Sequence, residues 1–342
     1  MPTVSCASRP EDVSSTVRVA VYIGGLLGLT LLVAMALRTD LPVMLQTLES
    51  AGWQVLWLVP YRAFYFFLYA VGWFWLLRPY DTTGRAGIGY VFWVTSVREA
   101  VDRLLPVASV GGGVVGVRLM RWRGLRLAPV SATVIVEIVL TLIISYAFAA
   151  VGLLLLIELR ATGAPYHRLL LGLLVSLPVP VLTVMFLRYG SVFERLQKFL
   201  RPLVGAGVMS EGAASLDHEL RACLDRWRSL LFAGTLQFLA LAAGSFEIWF
   251  ALRLFGHPVG VGTALILESM TQTMRHLAFV VPAGLGVQEA TLVVFGHVLG
   301  VGNELALAVS MVKRVREVLC GLPSLASWQW LEARRLTVKR PA

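Results

Sequence analysis

Long apolar runs alternate along this chain with short polar loops, and two of the runs are interrupted by charge, proline and glycine. Uninterrupted runs predict membrane-crossing helices at 18–37, Trp53–Leu77, Val130–Ile157, Leu169–Leu187, Leu230–Leu252 and Leu305–Trp330, because about 20 apolar residues cover the hydrocarbon core. Ala34-Met35-Ala36 looks like a cleavage site, but the run containing it is long enough to span and is read as a retained first helix. Pro178 and Pro180 predict a kink in the fourth run.

The first interrupted stretch, Thr95–Arg118, reads TSVREAVDRLLPVASVGGGVVGVR. It sets Arg98, Glu99, Asp102 and Arg103 among apolar neighbours, then breaks at Pro106 and at Gly111, Gly112 and Gly113. Charge at membrane depth is costly, so the four-residue spacings predict that Arg98 neutralises Asp102 and Glu99 neutralises Arg103 one helical turn away. The second stretch, Glu268–Gly300, repeats the design. Glu268, Gln272, Arg275 and His276 fall at helical spacing, then come Pro282, Gly284 and Gly286, with Gln288 and Glu289 just beyond. The last span carries Lys313, Arg314, Arg316 and Glu317. These polar groups from both stretches and the last span are the candidate substrate path, with the glycines allowing close backbone approach and Arg275, Lys313 and Arg316 offered to a head group. His276 reads as a hydrogen-bonding member of its hairpin rather than a base.

Other polar positions have simpler readings. Arg62, just inside the second span, is expected to snorkel to the surface. Glu137, Gln237 and Glu247 are polar groups inside otherwise apolar spans. The aromatic crowd between Trp53 and Trp75 fits interfacial belts at its ends and helix packing or contact with a rigid lipid in its middle. In 191–203, Val192, Phe193, Leu196, Phe199 and Leu200 share a face opposite Arg195, Lys198 and Arg201; Leu216, Leu220, Cys223, Leu224 and Trp227 repeat the pattern, as expected of basic helices lying on an anionic surface.

Composition agrees with the pattern. The chain of 342 residues is 57% hydrophobic and 15% charged, with mean hydropathy +0.75, against about 25% charge in soluble proteins. Its net charge of +10 lies in short loops, where bases orient spans and attract anionic lipid, so nucleic acid is not an expected partner. Placing the amino terminus in the cytoplasm puts the base-rich loops 78–85, 118–126 and 190–228 and the carboxyl tail on that side. Segments 38–52, 158–168, 256–258 and 302–304, poorer in bases, then fall outside. Each half reads span, span, hairpin, span, and the halves enter from opposite sides. The expected fold is an all-α polytopic membrane protein of about six spans plus two re-entrant broken-helix hairpins. It is one membrane domain, 1–342, with a first repeat at 17–157, a second, inverted repeat at 169–330, and a cytoplasmic amphipathic connector at 190–228. Two full crossings per hairpin would leave the side assignments unchanged, and the pattern does not separate the two cases.

Chemistry motifs are scarce. Cys6, Cys223 and Cys320 are far apart, the five histidines lack ligand spacing, and no Walker loop, HExxH or GxSxG is present. No cofactor, metal site or catalytic residue is expected.

VREAVDRLLPVASVGGGVVGVRL and VPAGLGVQEATLVVFG resemble the two signature segments of the flippase-like membrane domain of lysylphosphatidylglycerol synthases. The whole chain, including LALAVSMVKRVREVLCGLPSLASWQ, more closely resembles hopanoid-biosynthesis-associated membrane proteins of the HpnL type. That resemblance implies a multi-pass protein of the bacterial inner membrane, both termini cytoplasmic, moving hopanoids or a related lipid toward the outer membrane. Membrane lipids, a hopanoid substrate and other hopanoid transport or biosynthesis proteins are its implied partners. The synthases' soluble aminoacyl-transferring domain has no counterpart here, which points away from synthesis. A membrane-embedded lipid-modifying enzyme and a scaffold of hopanoid biosynthesis stand as alternatives.

Overall fold

The computed structural model describes residues 49, 52–105, 111–159, 178–189, 210–278 and 286–338, which form helices and turns with no strand among them. The expected span at 18–37, the amphipathic run at 191–203, and Pro106, Pro282 and Gly284 lie outside the described residues. In chain order the helices are α1 Leu58–Leu77, after a 3-10 turn at Trp53–Trp57, α2 Ile88–Leu104, α3 Gly111–Trp122, α4 Leu127–Leu159 and α5 Pro178–Tyr189. They continue as α6 Ser210–Leu224, α7 Trp227–Leu254, α8 Val261–Leu277, α9 Val287–Leu299 and α10 Asn303–Val338.

The segment Trp53–Tyr80, α4 and α7 are long and apolar enough to cross a membrane. They expose Phe64, Phe67, Ile143, Leu154, Leu231 and Leu239, side chains that lipid tails solvate. The described part of the fourth run is the helix α5, Pro178–Tyr189; residues 160–177 lie outside the described residues.

Both interrupted stretches fold as helix pairs. In the first, Gly112 N–H donates to Asp102 Oδ1 at 2.8 Å, Gly116 lies against Arg98 and Tyr90 Oη–H donates to the Leu119 carbonyl at 2.7 Å. Residues 102, 98 and 90 thus meet 112, 116 and 119 in reverse order, so α2 and α3 are antiparallel and begin and end at one end of the bundle. In the second, α8 packs on α9. Gly286 opens α9 at φ +76° and Gly300 closes it at φ +81°, left-handed conformations that glycine adopts without steric cost.

Packing between helices recurs in matched sets. α1 packs on α2, α2 on α3, α3 on α4 and α1 on α4; likewise α7 packs on α8, α8 on α9, α9 on α10 and α7 on α10. Across the sets α2 lies against α10 and α8 against α4, α1 touches α10 as α7 touches α4, and α1 and α7 pack on each other. α1 and α7 run in opposite directions, since Tyr61 bonds the Ala243 carbonyl, Gly72 meets Ala233 and Trp75 meets Phe232. Two apolar cores result. Val94, Val97, Val101, Leu119, Trp73 and Val134 centre one on the first hairpin; Leu153, Ile248, Leu267, Met270, Leu292 and Val312 centre the other on the second.

One end of the bundle is rich in arginine stacked on rings. Arg123 covers Tyr90, Arg335 covers Trp122 and Arg226 covers Tyr80, at 4.3, 4.0 and 4.8 Å to the centroids. The expectation that 216–227 lies on a lipid surface is corrected: Leu220 and Cys223 are buried against Ala132 and Val136 of α4, so the apolar face of α6 is covered by protein.

Candidate functional site

The first hairpin is closed by Asp102. Its carboxylate accepts the Gly112 N–H near the N-terminal end of α3, where the helix dipole favours negative charge. A Cβ on Gly112 would stand 2.4 Å from the Arg98 carbonyl oxygen and 2.5 Å from Asp102 Oδ2, and one on Gly116 would stand 2.6 Å from the Arg98 side chain. Glycine at both positions brings the helices this close. Gly113 is tight against Val134 of α4, and Gly111 begins α3. Gly112 and Gly113 thus make the close approach between helices expected of the glycine run.

That close approach redirects Arg98. Its guanidinium donates to Glu137 Oε2 on α4 at 2.6 Å and lies 4.4 Å over the Trp73 ring, so the expected Arg98–Asp102 pairing is wrong and Asp102 serves the hairpin turn instead. The expected Glu99–Arg103 pair forms at 2.9 Å. Arg62 does not snorkel. It is 3% exposed, bonds Glu99 at 3.0 Å, lies 3.8 Å from Glu247 on α7 and stacks on Tyr65. Helices α2 and α7 deliver two carboxylates to it, which a window on α1 alone does not reveal.

On the second hairpin Glu268 accepts from Lys313 of α10 and from Gln272 Nε2 at 2.6 Å. Arg275 donates to Gln288 Oε1 at 2.6 Å and to Glu317 at 3.0 Å. Gln288 continues to Ser310 Oγ at 2.9 Å, and Glu289 accepts from Arg314 at 3.1 Å. Glu317 is shared by Arg275, Arg314 and, at 3.8 Å, Arg316, which also bonds Glu247 at 2.9 Å. His276 is half-buried and its Nδ1 has no hydrogen-bond partner.

Three groupings emerge from the predicted residues. Arg98 forms an isolated pair with Glu137, and Lys313 with Gln272 surrounds Glu268. The rest, Glu99, Arg103, Arg275, Gln288, Glu289, Arg314 and Arg316, join one network completed by Arg62, Glu247 and Glu317. The isolated pairs occupy matching places with opposite sign: Glu137 lies ten residues after Leu127 and Lys313 ten after Asn303, about 15 Å along α4 and α10. Arg62 was the residue most misjudged from sequence. Glu247, an acid inside an apolar run, was the readable signal that a buried base awaited it.

A small, partly open cleft with room for about one water lies beside the network, between α1 and α2 on one wall and α10 on the other. Arg62, Ser96, Glu99 and Arg103 face Arg316, Glu317 and Cys320 across it. Glu99 and Arg103 keep 26% and 20% of their side chains exposed, whereas Arg62 and Arg316 keep 4% and 3%, so the former pair stands at the mouth. No group of histidine, cysteine and acids able to hold a metal occurs among the described residues. The arrangement can pair with a charged or hydroxylated group, and its carboxylates are engaged by arginine rather than poised as bases.

Residues 17–323 match the family model described as the lysylphosphatidylglycerol synthase TM region. No match was found among curated proteins or solved structures.

Proposed function

The chain belongs to the lysylphosphatidylglycerol synthase transmembrane family, and from that premise we propose that it is a lipid translocator, moving a hopanoid or a related lipid out of the bacterial inner membrane. The observation that carries this reading is the charged cleft between the two sets of helices, with one wall from α1 and α2 and the other from α10. Secondary transporters built from inverted repeats hold their substrates at such a repeat interface, where broken helices meet. The matched packing of α1–α4 and α7–α10, and the opposite directions of α1 and α7, support reading the halves as an inverted repeat with re-entrant hairpins. The arginine-rich end would face the cytoplasm. The hopanoid assignment rests on the resemblance of the whole chain to proteins of that type.

Buried charge in both halves favours transport over a scaffold, which needs none. The engagement of every cleft carboxylate by arginine favours it over a lipid-modifying enzyme, which needs a free acid or base.

Reconstitution tests the proposal. Proteoliposomes holding the purified chain and a fluorescent hopanoid or phospholipid should expose the inner-leaflet probe to an impermeant quencher faster than protein-free vesicles. Equal rates for every lipid would reject translocation, and release of a chemically altered lipid would favour the enzyme.

A further inference from the structure

α10 is one helix from Asn303 to Val338, yet it serves two cores. Its first part sets Ala306, Val309 and Val312 into the core of the second hairpin and ties Ser310 to Gln288 and Lys313 to Glu268. Its last part packs Leu325 and Trp328 against the core of the first hairpin. There Ser327 Oγ accepts the Trp93 indole N–H at 2.9 Å, Glu332 accepts from Arg118 of α3, and Arg335 lies 4.0 Å over the Trp122 ring. The change from one core to the other falls at Gly321, Leu322 and Pro323. Gly321 lies so close to α2 that a Cβ there would stand 2.5 Å from Leu104 Cδ1. Pro323 sits inside the helix, offers no N–H to the Leu319 carbonyl and crowds that turn with its ring, which makes it the point where the helix bends. Ser324 Oγ donates to the Cys320 carbonyl at 3.0 Å and Ser327 Oγ to the Ser324 carbonyl at 2.7 Å, side-chain donors that loosen the backbone ladder further.

The two parts are held by bonds of different kinds. Before the proline, Lys313 and Glu268 keep only 2% and 1% of their side chains exposed. Beyond it, Arg118 keeps 47% exposed, and an ion pair so placed is weakened by water and salt. Bending at Pro323 therefore releases the last part of α10 while the first part stays anchored. The α2 face it uncovers carries Trp93, Ser96 and Ala100 at helical spacing, and the last two line the cleft together with Cys320 and Gly321. With room for about one water, that cleft must widen to take any larger ligand. We infer that residues 324–338 are a lid hinged at Pro323 and latched to α3 by Arg118–Glu332 and Arg335–Trp122, whose opening admits solvent and ligand to the cleft along α2. This adds a gate to the translocator reading and rests on that reading only for what passes.

Native Cys320, on the cleft wall beside the hinge, reports the opening. With Cys6 and Cys223 replaced, its alkylation by N-ethylmaleimide in the full-length purified protein should be about three- to fivefold faster in Arg118→Glu, which sets two acids against each other. Combining Arg118→Glu with Glu332→Arg rebuilds the pair in reverse and should return the rate to near that of the parent. Pro323→Ala restores a backbone donor at an exposed position and should slow alkylation about fivefold. Raising KCl from about 0.1 to about 1 M screens the latch, so it should speed alkylation in the parent and leave Arg118→Ala unchanged. Should Arg118→Glu fail to fold, the salt series and Pro323→Ala decide. A reversed pair that reacts as fast as Arg118→Glu, or a rate indifferent to both salt and Pro323→Ala, overturns the inference. In proteoliposomes, lipid movement that Pro323→Ala leaves unchanged would sink the lid alone; a lid that opens as described without movement of any lipid would sink the translocator reading alone.

Discussion

Removing Glu137 should show what holds the first hairpin to α4. Arg98 and Glu137 have only 12% and 6% of their side chains exposed and are 2.6 Å apart. At an effective dielectric of about 20, unit charges about 4 Å apart attract by about 4 kcal/mol. Glu137→Ala forfeits that attraction and strands a buried guanidinium, for a loss of about 3–5 kcal/mol. The Trp73 ring beneath Arg98 survives the change and retains about 1 kcal/mol. Arg98→Ala strands Glu137 in turn, but the double variant has no unpaired charge, so the two losses should overlap by about 2–3 kcal/mol. Unfolding of purified protein in mixed micelles with rising dodecyl sulfate, followed by tryptophan fluorescence, gives the four stabilities of the cycle. A parallel cycle on Arg98 and Asp102 should give a coupling below about 1 kcal/mol, because Asp102 acts on Gly112. A larger coupling for Arg98 with Asp102 than with Glu137 would refute this assignment.

Four further outcomes are expected. Gly152→Ala should destabilise by more than about 1 kcal/mol, since its Cβ would stand 1.8 Å from Ser269 Oγ, whereas Gly72→Ala, 3.5 Å from Ala233, should unfold within about 0.5 kcal/mol of wild type in the same assay. Ser96→Thr adds one methyl group at the cleft wall and should slow lipid movement in proteoliposomes while leaving the unfolding midpoint near that of wild type; unchanged movement would place the path elsewhere. With native cysteines replaced, Thr82→Cys should be labelled in whole cells only by a permeant maleimide and Gly302→Cys by an impermeant one; impermeant labelling at residue 82 would reverse the orientation. Burial against α4 pushes the Cys223 thiol up to about 11, Arg226 opposing only in part, so with Cys6 and Cys320 replaced its alkylation rate should keep climbing about tenfold per pH unit through pH 9.5, and a plateau by pH 9 would contradict it.

How much was legible in the sequence follows from what each feature depends on. Predicted spans Val130–Ile157 and Leu230–Leu252 match α4 at Leu127–Leu159 and α7 at Trp227–Leu254 within three residues at each end, because apolar length is a local property. The hairpins were legible for the same reason: charge, proline and a glycine run cannot continue a lipid-facing helix. Ion-pair partners were legible for Glu99 with Arg103, one turn apart on a single helix, and not for pairs between helices. Helical spacing allows Arg98 to reach Asp102, but Gly112 and Gly116 admit α3 so closely that the side chain is pressed toward α4, a constraint set by tertiary contact. Arg62 illustrates the converse, since a base near a span's start can snorkel or be buried, and only the arrival of Glu99 and Glu247 decides. The covered face of α6 was misread because amphipathicity says that a face will be buried, not by what.

The distribution of ion pairs also bears on how such a bundle could move. Arg98–Glu137 joins α2 to α4, and Lys313–Glu268 joins α10 to α8, so each isolated pair ties a hairpin to the closing helix of its own half. Such pairs are expensive to break and would move as part of a rigid unit. Between the halves the described residues form two ion pairs: Arg118 of α3 with Glu332 of α10 at the arginine-rich end, and deeper in the bundle Arg62 with Glu247, at 3.8 Å rather than the 2.6–3.1 Å typical of the others, where both ends have alternatives, Glu99 for the base and Arg316 for the acid. Parting there exchanges a long contact for shorter ones already in place and strands no charge. The cleft opens along this same seam, between the α1–α2 wall and α10. Rocking of one half against the other would therefore cost least where a head group could enter, which is the energetic arrangement that alternating access requires.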